Sequence, residues 1–289
     1  MMNMPPQSDE DLRRAYWQEQ MDAAHELMAQ FQQYPVAECG EPLVSLHAVA
    51  QSANVEIVFS STKFMGKSPR LFVLREGLVD SVLASAHDLK SRGWILKIED
   101  GYRTRAMQKE AGRSPKIFDA VLRRILWETE GQTPTPAFML HRITAVLATV
   151  PKIGTHMSGS ALDISVVQAR DGQEVDRGGP YMEISELTPM ASPFVSSQAR
   201  QHRDVITALM KRHGFIAYPY EFWHYSQGDA YAEFLQQSSK PSRYGAVDWD
   251  PATGKTTPLL HPEILLNSLE EIRTEIEQAL ARHSTQGVL

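Results

Sequence analysis

The strand candidate at Ile164 to Val167, with the two residues before it, constrains this chain more than any other stretch, because Leu162, Ile164 and Val166 alternate with Asp163 and Ser165. Alternation at a period of two marks a strand with one buried face. Such a strand turns its three branched residues towards a core. It holds Asp163 on the opposite face, where a rigid element aims a carboxylate away from hydrocarbon. Immediately upstream lies Gly154-Thr155-His156-Met157-Ser158-Gly159-Ser160. Gly159 allows the chain to reverse between His156 and the strand. A second short stretch, Tyr220-Glu221-Phe222-Trp223-His224, leads into a strand candidate over Phe222 to Tyr225. From a neighbouring strand, His224 can join His156 and Asp163.

The surrounding sequence predicts a mixed body. Val55 to Phe59, Leu71 to Leu74 and Trp94 to Ile98 read as strands, with a turn around Gly66. Leu78, Val82, Ala86 and Leu89 mark a helix that Gly93 can end in the left-handed conformation. Lys116 to Glu128 is helical and basic, Gly131 to Pro136 breaks the pattern, and Asp204 to His213 forms a helix closed by Gly214. Strands and helices in this irregular order predict an α+β fold, a mixed or antiparallel sheet flanked by helices, over a regular βαβ array.

Two further helices stand near the ends. Asp9 to Tyr34 carries Leu12, Tyr16, Ala23, Leu27 and Phe31 at helical spacing, with Ser8 or Asp9 as cap and Pro35 as terminator. Pro262 is expected to open the other, with Leu265, Leu269, Ile272, Ile276 and Leu280 on one face. The sequence leaves three arrangements open: the helices pack on each other, on the body, or across the interface of a homo-oligomer.

Composition removes several function classes. A net charge of -6 and the lack of a dense Lys/Arg run interleaved with aromatics argue against nucleic acid as a partner. The longest aliphatic-rich stretch, Ile143 to Val150, is too short to span a bilayer, so no membrane role is expected. Met1 to Asp11 has no apolar segment of the kind an export signal needs, which makes a soluble cytoplasmic protein the expectation. Cys39, the single cysteine, excludes an internal disulfide and a cysteine-based zinc site. It reads as a small apolar residue at a chain junction.

Catalytic zinc takes three protein ligands and keeps a fourth position open, and neutral imidazoles with a carboxylate are suitable donors. His156, Asp163 and His224 supply that set. Glu221, three residues before His224 and just after Pro219, can lie beside the metal without binding it and exchange a proton with the attacking water. Taken singly, each of these residues suits a capping or surface role equally well. His25, His47, His87, His141, His202, His213, His261 and His283 lack ligand spacing to one another and read as surface or structural residues.

Three co-ordered motifs give the combination its specificity. His156 to Asp163 has the pattern H-x-x-G-x-A-x-D, Glu221 to His224 has E-x-W-H, and Asp100-Gly101-Tyr102-Arg103 stands upstream in the expected order. In this the chain resembles the D-alanyl-D-alanine dipeptidases and related zinc D,D-peptidases. Weaker similarity extends from about Cys39 to Asp250, including Gly214 to Asp229, so the resemblance implies a catalytic domain over 39–250. Helical extensions would then occupy 1–38 and 251–289. It further implies the hedgehog-like D,D-peptidase fold, one Zn(2+) per chain on His156, Asp163 and His224, Glu221 as general base, and Arg103 stabilising the tetrahedral intermediate. The expected substrate is a small dipeptide.

Two positions depart from the family. Gly154 stands where a serine commonly helps to bind the substrate carboxylate, and Pro189 stands where an acidic residue receives the substrate's amino group. Glu183 and Glu186 are the candidates to replace that acid. Two other readings therefore stand beside a dipeptidase. One is a peptidoglycan D,D-carboxypeptidase or endopeptidase of the same fold; the other is a zinc protein redeployed for a different substrate or for binding.

Overall fold

The computed structural model describes residues 8–285; residues 1–7, part of the segment read above for an export signal, lie outside them. The first helix, α1 (Asp9–Gln33), starts at Ser8 in a reciprocal cap. The Ser8 hydroxyl accepts the Asp11 amide, and the Asp11 carboxylate accepts the Ser8 amide. Its buried stripe is Trp17, Met21, Ala24, Met28 and Phe31. That corrects the expected face, of which only Phe31 is buried: Leu12 is exposed, while Tyr16, Ala23 and Leu27 are half-buried. The helix is rotated so that Trp17, the largest apolar side chain available, is covered and its indole N–H reaches Glu128 at 3.2 Å.

The chain continues through β1 (Leu43–Ser45), α2 (Leu46–Ala53), β2 (Ile57–Phe59), β3 (Val73–Arg75), α3 (Val79–Lys90) and β4 (Trp94–Asp100). Gly93 ends the α3 region at φ +75°. Next come α4 (Arg105–Ala111), α5 (Pro115–Glu128), α6 (Pro136–Val146), β5 (Ala161–Gln168), α7 (Ser197–Arg212), β6 (Ile216–Ala217) and β7 (His224–Ser226). Then follow α8 (Ala230–Leu235), the hairpin of β8 (Val247–Trp249) and β9 (Thr256–Pro258), and α9 (Leu269–Thr285). Pro262 does not open α9. Ser268 does, accepting the Glu271 amide while the Glu271 carboxylate accepts the Ser268 amide. Leu265 and Leu269 consequently remain exposed, and the buried face is Ile272, Ile276, Ala279 and His283. Cys39 is exposed instead of packed.

Five strands form one sheet in the order β2-β4-β5-β7-β6, with β2 parallel to β4 and the other pairs antiparallel. This is the mixed sheet of an α+β fold. One face buries Leu162, Ile164 and Val166 of β5 with Leu96 and Ile98 of β4 against Val82, Ala86 and Leu89 of α3 and Ile206, Leu209 and Met210 of α7. A separate helical core joins Phe118, Leu122 and Ile125 of α5, Met139 and Ile143 of α6, and Ile272, Ile276 and Ala279 of α9. Helix α1 packs on α6, α5 and α8, so both end helices lie against the body. No helix among the described residues is long and apolar enough to cross a membrane.

Candidate metal centre

The pairing of β5 with β7 sets Asp163 directly opposite His224. On the other side, a register shift between Ile98 and Asp100 lets Asp100 pair with Asp163. Such a bulge re-aims the residues that follow it. Gly101 comes next, and a Cβ there would lie 2.8 Å from the Leu71 carbonyl oxygen, so the backbone passes where only glycine fits. The Gly101 carbonyl, placed in this way, accepts a hydrogen bond from His156 Nδ1 at 2.6 Å. Gly159, at φ +68°, makes the reversal that returns the chain from His156 into β5.

A carbonyl can only accept, so Nδ1 of His156 carries a proton and Nε2 is the ring nitrogen left to offer a lone pair. That Nε2 stands 3.1 Å from Asp163 Oδ1, and His224 Nδ1 stands 3.0 Å from the same oxygen. The far nitrogen of His224, Nε2, is 2.9 Å from the Thr155 hydroxyl. A ring-nitrogen lone pair facing a carboxylate at this range is repelled unless a proton or cation lies between them. The three residues are buried, and their ligand atoms all lie within 4.8 Å of one another. The donor set therefore fits a divalent metal ion. Burial pushes the Asp163 carboxyl up, but His156 and His224, when they carry protons towards it, outweigh burial and hold it well below the usual carboxylate range, as a cation in their midst would. Burial drives the His224 imidazole down, against the pull of Asp163, which favours the neutral form that can ligate.

Asp163 Oδ2 is committed as well, accepting from Arg103 Nη2 at 3.0 Å and from the Tyr181 hydroxyl at 2.8 Å. Arg103 is buried; its Nε donates to Asp100 Oδ2 at 2.7 Å and its Nη1 lies 3.4 Å from Gln108 Oε1. Burial opposes its charge, yet Asp100 and Asp163 more than compensate, and the guanidinium stays protonated. A second buried arginine, Arg70, approaches Asp100 Oδ1 at 3.1 Å and lies 5.7 Å from the Tyr181 ring centre. Glu221 shares the cleft with these groups. Burial, reinforced by the negative charge of Asp163 and only partly offset by Arg103, raises its carboxyl well above the usual value. A carboxyl held up in that way is suited to carry a proton as well as to release one.

The structure brings His156, Asp163, His224, Glu221 and Arg103 to one cleft. Sequence reasoning missed Tyr181, Arg70 and Gln108. Each reaches the site from a segment without a recognisable spacing to the motifs. Thr155 was legible only as a neighbour of His156. At Gly154 a Cβ would lie 3.1 Å from the Pro151 carbonyl oxygen and 3.3 Å from Met157 Sδ, so a side chain there would be crowded. Pro189 is buried and its carbonyl accepts from Arg203 Nη1 at 2.8 Å. Glu186 is held by Arg13 at 2.9 Å and Arg124 at 3.3 Å, and Glu183 flanks a separate surface depression with Lys116 and Arg123. Neither lines the cleft. Of the remaining histidines, His25 and His141 stack edge to face with ring centres 3.8 Å apart, a pairing their spacing did not suggest.

The sequence model of the peptidase M15 family, described as D-Ala-D-Ala dipeptidase, matches residues 43–241. A D-alanyl-D-alanine dipeptidase of Synechocystis sp. is 28% identical over 247 residues, covering 74% of this chain and 95% of that protein. A D-alanyl-D-alanine dipeptidase of Enterococcus faecium is 31% identical over 71 residues, 25% of this chain and 35% of that protein. Among solved structures, the LdcB LD-carboxypeptidase aligns at a TM-score of 0.37 and 19% identity, covering 71% of this chain and 78% of that one. The D,D-pentapeptidase VanY in complex with Zn(II) aligns at 0.35 and 16%, covering 72% and 94%. Since the family model spans more than half of its length, the chain belongs to the D-alanyl-D-alanine dipeptidase family of peptidases.

Proposed function

We propose that this protein is a zinc-dependent dipeptidase that hydrolyses D-alanyl-D-alanine or a related D-amino-acid dipeptide. One Zn(2+) per chain would be held by His156 Nε2, Asp163 Oδ1 and His224 Nδ1. The observation that carries this reading is the convergence of ring nitrogens of His156 and His224 on one oxygen of Asp163, with Glu221 buried in the same cleft. It is supported by membership of the family and by the dipeptidase of Synechocystis sp., which matches along almost its whole length.

When bound, zinc supplies Lewis acidity, making a water acidic near neutral pH and polarising the peptide carbonyl. The chain's own residues do the remainder. Glu221 takes the proton of the attacking water on its carboxylate and returns it to the leaving amine nitrogen, for which its raised pKa is suited. Arg103, fixed by Asp100 and Gln108, holds a positive charge at the floor of the cleft, where it offsets the negative charge that develops on the carbonyl oxygen. Trp223 packs edge-on against Tyr181, with ring centres 5.8 Å apart, and walls one side of the cleft from water.

Zinc content and hydrolysis of a dipeptide panel, measured on the wild type and on Glu221→Ala, test the reading. About one zinc per chain is expected in both proteins, with turnover lowered about 10²- to 10⁴-fold in the variant alone. A metal-free wild type, or a zinc-loaded one inert towards every dipeptide, would overturn it.

A further inference from the structure

The hydroxyls that line the cleft belong to Thr155, Tyr181, Tyr218 and Tyr231. The first three are engaged inside the fold. Thr155 meets His224 Nε2 at 2.9 Å, Tyr181 donates to Asp163, and Tyr218 donates to the Ala145 carbonyl at 3.0 Å. The Tyr231 hydroxyl is buried and has no hydrogen-bond partner among the described residues. Of the buried side-chain polar atoms in that condition, it alone belongs to a residue of the cleft wall. A phenol shut away from water without a partner is unfavourable, and folded proteins seldom keep one without a use.

The position of this phenol is fixed by packing, independently of its oxygen. Tyr231 opens α8, whose cap Asp229 accepts the Ala232 amide at 2.9 Å and the Ser160 hydroxyl at 2.6 Å. Its ring meets Phe31, Tyr218 and His224 edge to face, with ring centres 4.9, 5.4 and 6.1 Å away. The Tyr218 carbonyl in turn accepts the Glu221 amide at 3.3 Å, so Tyr231 stands on the side of the cleft that Glu221 occupies. Gly154 and Thr155 share that wall, lining with Tyr231 both the cleft and a small depression beside it, and Gly154 brings no side chain there. Burial, reinforced by Tyr218, Asp229 and Glu221, raises the phenol well above its usual value, which keeps it a neutral donor. In the proposed reaction Glu221 returns its proton to the leaving nitrogen, so the leaving half of a dipeptide lies on this side. That half ends in a carboxylate, which needs a donor once it leaves water. The Arg103 guanidinium is already spent on Asp100 and Asp163.

Resting on the dipeptidase reading, we propose that the Tyr231 hydroxyl donates to the terminal carboxylate of the bound dipeptide and thereby selects substrates with a free acid end. The oxygen stabilises nothing in the fold itself. Its partner arrives with the substrate.

The test compares full-length, zinc-loaded wild type with Tyr231→Phe, which keeps the ring and removes only the oxygen. The probes are D-alanyl-D-alanine and D-alanine ethylamide, which has the same amide bond without the carboxylate. In the variant kcat/KM for the dipeptide is expected to fall about 10- to 100-fold and that for the ethylamide by less than about threefold. Zinc affinity by chelator competition is expected to stay unchanged, and the melting temperature to stay equal or rise, since an unpaired buried oxygen has been removed. Calorimetric binding of both probes to Glu221→Gln, with and without Tyr231→Phe, makes the same comparison free of turnover. Equal losses for the two probes, no loss for the dipeptide, or a lowered melting temperature would overturn the proposal. Carboxylate-selective binding through Tyr231 without turnover by the wild type removes the dipeptidase reading alone. Turnover that Tyr231→Phe leaves unchanged removes the carboxylate contact alone, and a dipeptide that neither binds nor reacts removes both.

Discussion

Because Nδ1 of His156 donates to the Gly101 carbonyl, the ring can offer only Nε2 to a cation, and the backbone turn after β4 therefore chooses the ligating atom. Asp163 is oriented in the same indirect manner, through Tyr181 and Arg103 on the oxygen turned away from the histidines. Outer partners of this kind raise ligand basicity and fix orientation. Removing the Tyr181 hydroxyl in Tyr181→Phe is expected to weaken zinc binding about 10- to 100-fold, measured by chelator competition on protein with an unchanged circular dichroism spectrum. Unchanged affinity would show that Tyr181 does not hold the ligand. His156, Asp163, His224, Glu221 and Arg103 were legible as a group because they stand in three co-ordered motifs that resemble a known family's, whereas singly each suits a structural role. Tyr181 was not, since a loop of irregular backbone delivers it and only the folded chain shows where it arrives.

Elements were legible where periodicity and punctuation agreed. Strand β5 and the Gly93 and Gly214 terminators followed from alternation and from left-handed glycines at φ +75° and +89°. Helix α6 is hidden in the sequence although Thr135 and Pro136 open it, because the preceding Gly and Pro suggest only a break. Helix α9 starts at Leu269, well beyond Pro262, because the Ser268 and Glu271 pair outweighs the proline. Those two residues form a capping box, which satisfies two amide donors at once. Ser268→Ala is accordingly expected to lower stability by about 1 kcal/mol in urea denaturation, whereas Pro262→Ala is expected to change it by less than about 0.5 kcal/mol. The reverse order would restore Pro262 as the helix start. The buried face of α1 departs from expectation for a different reason. Helical spacing alone admits neighbouring stripes, and the choice between them is made by what Trp17 meets on α5 and α6.

Across the whole molecule, α1 is fastened to α6 by a contact that titrates. Burial, His25 and Arg142 push the His141 imidazole down to about 4, while burial and Arg142 lower His25; Asp22 opposes both shifts and Glu26 also opposes that of His25. In the unfolded chain both rings would take up protons near pH 6.5. Below that value the unfolded state binds more protons than the folded one, so their contribution to stability is present above pH 6.5 and is lost as pH falls towards about 4. The urea midpoint should thus fall through that window, and His141→Gln should flatten the slope there relative to wild type. Parallel curves for the two proteins would contradict this account. Met28 lies on the same helix as His25 and belongs to none of the motifs, yet it reaches the cleft wall. Helix α1 therefore bears on fold stability at one point and shapes the substrate space at another. Selection can thereby reshape the cleft by altering a helix outside the family's matched region, leaving the residues of the candidate site under their own, separate constraint.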